Sequence, residues 1–188
     1  NLHKYCPDLR IGIICVISGM NYPEVVDLVK WVKNTQYISG IYFQAVAKPF
    51  FVHLDGNWHT NSQYEFLWPK DIAGVHYTLD SLIKLKKEDY PIHNFPMQLE
   101  IFKTYFKNPA KRARKAACYL GDYVINVNPG GDISLCCFME PIGNIKKDDI
   151  NKLWYSDLAI RKRAEMHRCD INCNNMVNCF FKEDEEKI

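Results

Sequence analysis

The sequence predicts an α/β segment followed by a small α+β module rich in cysteine. Three observations carry this: two continuous apolar strands separated by an amphipathic helix, a later change to short alternating strands around Pro129-Gly130-Gly131, and a concentration of thiols in the last third. A chain of 188 residues, 47% hydrophobic and 24% charged, can bury a core as one medium domain or two small ones.

Residues 10–18 form an uninterrupted apolar run closed by Gly19, the pattern of a buried, parallel strand. Asn21 is placed to cap a helix with Pro23 in its first turn, Glu24 near its positive end, and Val25, Val26, Leu28, Val29 and Val32 on its inner face. Residues 38–46 make a second strand, completing a βαβ unit that needs cover on both sheet faces. The stretch 48–69 is irregular and aromatic, with Phe50, Phe51, Trp58, Tyr64, Phe66 and Trp68. It reads as a loop over a cavity or as one pinned to the core. Helices are predicted from Pro69 to about Glu88, and from Asn94 and Pro96 until just before Pro109. After a boundary near Lys107 to Lys115, strands at 123–128 and 132–136 pair as a hairpin. One helix spans 148–166, and a cysteine-rich loop leads into an acidic tail, Glu183 to Glu186.

Basic and acidic residues are mixed and sum to a formal charge of +2, so no large field favours nucleic acid or an anionic membrane. The basic run 107–115 is read as the solvated end of a helix. The apolar run 11–17 is too short to span a bilayer. A long first half without paired cysteines, and the adjacent pair Cys136-Cys137, fit a reducing, cytoplasmic compartment in which the cysteines are thiols or metal ligands.

Cys118, Cys136, Cys169, Cys173 and Cys179 are the candidate metal ligands. Short loops let neighbouring thiolates converge on one centre, and distant ligands cross-link segments too small to build a large core. Four thiolates suit either tetrahedral zinc or an iron–sulfur cluster, and spacing does not choose between them. Five candidates exceed a four-ligand site by one. Cys137 should face away from Cys136 along its strand, and Cys6 and Cys15 read as small apolar residues. The six histidines are scattered, and neither a paired-carboxylate site, a nucleophile with its own base nor a phosphate-binding loop is present.

Cys118, then Gly131-Asp-Ile-Ser-Leu-Cys136, Ile142-Gly-Asn-Ile145, Leu153-Trp154 and the closing cysteines resemble the SPASM or twitch auxiliary-cluster domain of radical S-adenosylmethionine enzymes. The strand at 10–18 with Gly19 and Asn21, the Glu24 helix and the strand running on to Pro49 resemble the last βαβ unit of that family's partial (β/α)6 barrel. The resemblance implies that residues 1–108 end such a barrel and that 109–188 form the iron–sulfur domain. It implies one auxiliary 4Fe–4S cluster on four of the five cysteines, with S-adenosylmethionine bound in the longer enzyme near Ser18, Asn21 and Gln44. A peptide or protein substrate and an electron donor such as flavodoxin or ferredoxin are further implications. The alternative that the thiolate spacing leaves open is a zinc-stabilised, non-catalytic binding module. The radical-forming CxxxCxxC motif is absent from the sequence, and the final cysteines depart from the family's CxxC-x5-C spacing by one residue. The 188-residue chain is accordingly expected to be the carboxy-terminal part of a longer enzyme and inactive alone.

Overall fold

The structure is a computed structural model and describes residues 2–6, 8–49 and 57–181, so Phe50, Phe51 and the acidic tail lie outside the described residues. The chain divides into two compact units, residues 1–114 with 171–188, and residues 115–170. This division falls later than the expected boundary at 108/109. It also separates Cys173 and Cys179 from the other three candidate ligands.

The first unit begins with a short helix α1 (Leu2–Tyr5) and the strand β1 (Ile11–Ile17). A turn of 3-10 helix over Tyr22–Glu24 leads into α2 (Val25–Lys33), whose Val25, Val29 and Val32 are buried, and then into β2 (Ile38–Ala45). As the βαβ pattern predicts, β1 and β2 are parallel neighbours, with Ile13 opposite Ile41, Cys15 opposite Phe43 and Ile17 opposite Ala45. Those residues face the core, where Ile17, Ile41 and Phe43 are fully buried. The opposite face is the exception to the expected burial, because Ile14 is 68% exposed and Val16 44%. With only two strands and helices packed on one side, β1 has nothing to cover that face among the described residues.

The two edges of this small sheet are treated differently. The outward-pointing backbone of β2 is engaged at Ile41, Phe43 and Ala45. Ile41 N–H donates to the Pro91 carbonyl at 2.8 Å, and Ile41 C=O accepts from His93 N–H at 2.8 Å. At Phe43 a side chain takes over: Asn94 Oδ1 accepts from Phe43 N–H at 2.6 Å and Asn94 Nδ2 donates to Phe43 C=O at 3.0 Å. At Ala45 the Asn178 amide does the same, at 2.7 and 2.9 Å. A carboxamide carries one acceptor and two donors in a plane, so it can stand in for a strand's peptide group. Gly40 is needed where the 91–93 segment crosses, because a Cβ there would lie 2.6 Å from the Pro91 carbonyl oxygen. The other edge, on β1, has no partner strand among the described residues.

Two helices cover the buried face. Helix α3 (Ile72–Lys87) starts later than Pro69, because Asp71 caps it by accepting from Gly74 N–H at 2.9 Å. Helix α4 (Pro96–Lys107) has Pro96 at its first turn, and the Gln98 side chain accepts from Phe95 N–H at 3.0 Å. The aromatic stretch, over its described part, is pinned to the core. The Trp68 ring lies 5.8 Å from Trp58, 5.3 Å from Tyr105 and 5.3 Å from Phe106, centroid to centroid.

In the second unit the hairpin is shorter than its sequence pattern. Strands β3 (Asn126–Val127) and β4 (Asp132–Ser134) are antiparallel, and Gly131 takes the positive φ of 94° that the turn requires. A third strand, β5 (Gly143–Asn144), pairs with the far side of β4. The predicted helix over 148–166 is two helices, α5 (Ile150–Trp154) and α6 (Asp157–His167). Ser156 accounts for the break, since its hydroxyl accepts from Ala159 N–H at 3.2 Å and opens a new helix. The chain then returns to the first unit, where α7 (Asn174–Asn178) is flanked by Cys173 and Cys179.

Candidate metal centre

Three of the five thiols belong to the second unit, and its polar network explains how they are held. Cys118 is 8% exposed and precedes a turn over Leu120–Asp122. Asp122 Oδ2 lies 2.8 Å from His167 Nε2, and the Tyr119 ring packs on His167 with centroids 4.7 Å apart. The Arg163 guanidinium donates to the carbonyls of Gly121 (2.9 Å) and Trp154 (2.8 Å) and lies over the Trp154 ring. Helix α6 is thereby tied to the segment that follows Cys118, and Cys169 N–H continues its end by donating to Met166 C=O at 3.0 Å. His167 therefore serves as an orienting partner of Asp122.

Cys136 leaves β4 just after the buried Ile133 and Leu135, in a turn closed by Met139 N–H to Cys136 C=O at 3.1 Å. Its sulfur accepts from Phe138 N–H at 3.5 Å. Burial pushes the Cys136 thiol up, and the nearby charges of Cys118 and Cys169 push it in the same direction. These two sulfurs are thus within electrostatic reach of Cys136. Cys136 and Cys137 lie past the end of β4, so the strand alternation that would turn Cys137 away does not reach them. Burial and its neighbour Cys136 push the Cys137 thiol up to about 11.

Cys173 and Cys179 are placed by the first unit. Cys173, 8% exposed, precedes α7, and Cys179 ends it, its sulfur 3.8 Å from Asn175 Oδ1. Asn178, only 2% exposed, fixes the helix to Ala45, while its carbonyl accepts from the Tyr42 hydroxyl at 2.6 Å. Asn172 ties the loop to residues 109–113, accepting from Ala113 N–H and donating to the carbonyls of Pro109 and Lys111. Arg114 is buried against the same loop, contrary to the solvated role read from the basic run. Neither Asn178 nor Arg114 stood out in the sequence, because the strand and loop that each serves are distant along the chain.

Among the described residues, no three Cys, His, Asp or Glu side chains stand together closely enough to hold a metal ion. Cys118, Cys136 and Cys169 nevertheless share one compact unit. Their chemistry still fits a soft metal centre. All are thiols, two of the five are nearly buried, and Cys136 already receives a backbone N–H that would support a thiolate. Mutual suppression of ionisation is what a bound cation relieves.

The residues suggested for cofactor contact are Ser18, Asn21 and Gln44. Asn21 does not cap α2. Its Oδ1 accepts from Ser18 N–H at 2.9 Å, and its Nδ2 donates to Val16 C=O at 2.9 Å. Ser18 is nearly buried beside it. Gly19 completes this tight corner, its N–H donating to Leu67 C=O at 2.7 Å. Gln44 is half-buried on the partly open sheet face, opposite Val16.

Residues 115–170 are a compact unit of short antiparallel strands and paired helices that carries four of the chain's eight cysteines. Residues 118–179 match the family model of SPASM, an iron-sulfur cluster-binding domain. The match covers about a third of the sequence and leaves the βαβ unit outside it. No curated protein and no solved structure matches the chain. No helix among the described residues is long and apolar enough to cross a membrane.

Proposed function

We propose that residues 118–179 hold a single auxiliary 4Fe–4S cluster serving a radical S-adenosylmethionine reaction. Cys118 and Cys136 act with at least two of Cys169, Cys173 and Cys179. The observation that carries this reading is the SPASM match, which begins on Cys118 and ends on Cys179. When bound, such a cluster accepts and releases single electrons, or offers iron to a substrate group. The chain's own residues then orient thiolates and exclude water. Phe138 N–H supports the Cys136 sulfur, the Asp122–His167 pair sets Cys118 and Cys169, and Asn178 sets the helix between Cys173 and Cys179. A donor such as flavodoxin or ferredoxin would deliver the electron. The substrate class proposed is a peptide or protein. In this reading the βαβ unit is the end of a partial (β/α)6 barrel, and the corner at Ser18 and Asn21, with Gln44, borders the site for S-adenosylmethionine.

The test is anaerobic reconstitution of the chain with iron and sulfide. A brown protein with about four irons and four sulfides per chain is expected, with serine at Cys118 or Cys136 lowering both. Colourless protein carrying one zinc after the same treatment, or undiminished iron in Cys136→Ser, would overturn the proposal.

A further inference from the structure

We infer that Arg114 supplies the fixed positive charge that balances this metal centre and makes its reduced state easier to reach. The inference rests on the cluster reading above and concerns a residue outside the SPASM match. Arg114 is 4% exposed. Its Nε donates to Met176 C=O at 3.0 Å and one terminal nitrogen donates to Cys179 C=O at 3.3 Å. Its guanidinium carbon lies 4.1 Å from the centre of the Phe181 ring. The cation is therefore anchored to the backbone of the segment that carries Cys173 and Cys179, and it must stay there if that segment moves.

A guanidinium cannot shed its proton to escape burial, as a buried lysine can. Carbonyl dipoles offset part of the resulting cost, and a negative group beside the loop would offset more. A 4Fe–4S core ligated by thiolates is such a group. It is negative when oxidised and gains one further negative charge on accepting an electron from an external donor. A fixed cation close to the ligand loop, where the effective dielectric constant is far below that of water, stabilises the reduced form more than the oxidised form. A hydrogen-bonding role alone would need the planar fork and not the charge.

The experiment compares the reconstituted 188-residue chain with Arg114→Gln and Arg114→Lys by anaerobic dithionite titration, following absorbance and the electron-paramagnetic-resonance signal of the reduced cluster. Iron and sulfide are assayed in every sample. Arg114→Gln should keep its cluster while the reduced-to-oxidised ratio at a fixed potential falls roughly tenfold, a shift of about 59 mV to lower potential for a one-electron couple. Arg114→Lys, which keeps the charge and loses the fork, should stay within about twofold of the wild type. A fully loaded Arg114→Gln with an unchanged midpoint overturns the inference. So does an Arg114→Lys shift as large as that of the glutamine variant, and this second criterion holds even if Arg114→Gln does not fold. A wild-type chain that binds neither iron nor sulfide sinks the underlying cluster reading instead.

Discussion

Single carboxamides carry much of the structural burden in the first unit. Asn94 and Asn178 each satisfy both the N–H and the C=O of a β2 residue, and both are buried. Truncating Asn178 to alanine leaves the Ala45 peptide without its partners in a dry place, a loss of about 1–3 kcal/mol. Urea unfolding of the chain should show that loss as a lower midpoint at unchanged slope, and a midpoint equal to wild type would show that water replaces the amide. Asn178→Asp should be worse than alanine at neutral pH, since it presents a carboxylate oxygen to the Ala45 carbonyl where a donor now sits. The sequence gives little warning of either asparagine. Asn94 was read only as the introduction to a helix, and Asn178 hides among three asparagines near the closing cysteines. The use of an amide on a strand edge depends on residues 51 and 133 positions away. Gly19 was legible as a turn, but its stronger constraint was not: a Cβ there would lie 2.7 Å from the Trp68 carbonyl oxygen.

Periodicity placed β1, α2, β2, α3 and α4 within a few residues, since each has a continuous apolar run or a helical stripe that long-range packing does not alter. Elements whose ends depend on local polar chemistry were harder. The 148–166 stripe continues smoothly through Ser156, yet the hydroxyl stops one helix and starts another. Strand β5 was invisible as a strand, being two residues held by Asn144. That side chain donates to Asp132 Oδ1 at 2.8 Å, while Asn128 donates to Asp132 Oδ2 at 2.9 Å. These two amides hold the Asp132 carboxyl below its ordinary value of 3.8. Because the folded hairpin binds a proton less readily than the unfolded chain, its contribution is complete above the ordinary carboxylate value. It fades as the pH drops through the lowered one. Nuclear magnetic resonance of the Gly131 and Asn144 amides should show the hairpin loosening only in that acid range. Asp132→Asn should remove the pH dependence, and an identical acid profile in the variant would discard Asp132 as its source.

At the scale of the whole chain, the change of character near 107–115 was visible because composition and strand length change together. The return of 171–188 to the first unit was not, because it is decided by Asn172, Asn178 and Arg114, which bind segments far away in sequence. Five candidate cysteines are consequently divided, three in one unit and two in the other. Cluster loading should raise the unfolding temperature of residues 115–170 sharply, while Cys118→Ser should lose that increment and Cys6→Ser should keep it. Equal effects from the two serines would mean that Cys118 is no ligand. Reconstituted and reduced without oxygen, the chain should not cleave S-adenosylmethionine to 5′-deoxyadenosine, having no CxxxCxxC loop. Product that disappears in Cys136→Ser would move catalysis into the auxiliary domain. The unequal edges of the β1–β2 sheet bear on self-association. Growth of a filament by strand addition needs two open edges on every molecule, one to receive and one to offer. Here the β2 edge is stoppered by Pro91, His93, Asn94 and Asn178, so among the described residues strand addition to this sheet falls on β1, and a β1–β1 contact closes on itself at the dimer. Loss of the Asn178 amide would free only the Ala45 peptide of the β2 edge, and the contacts at Ile41 and Phe43 would still keep that edge closed to an incoming strand.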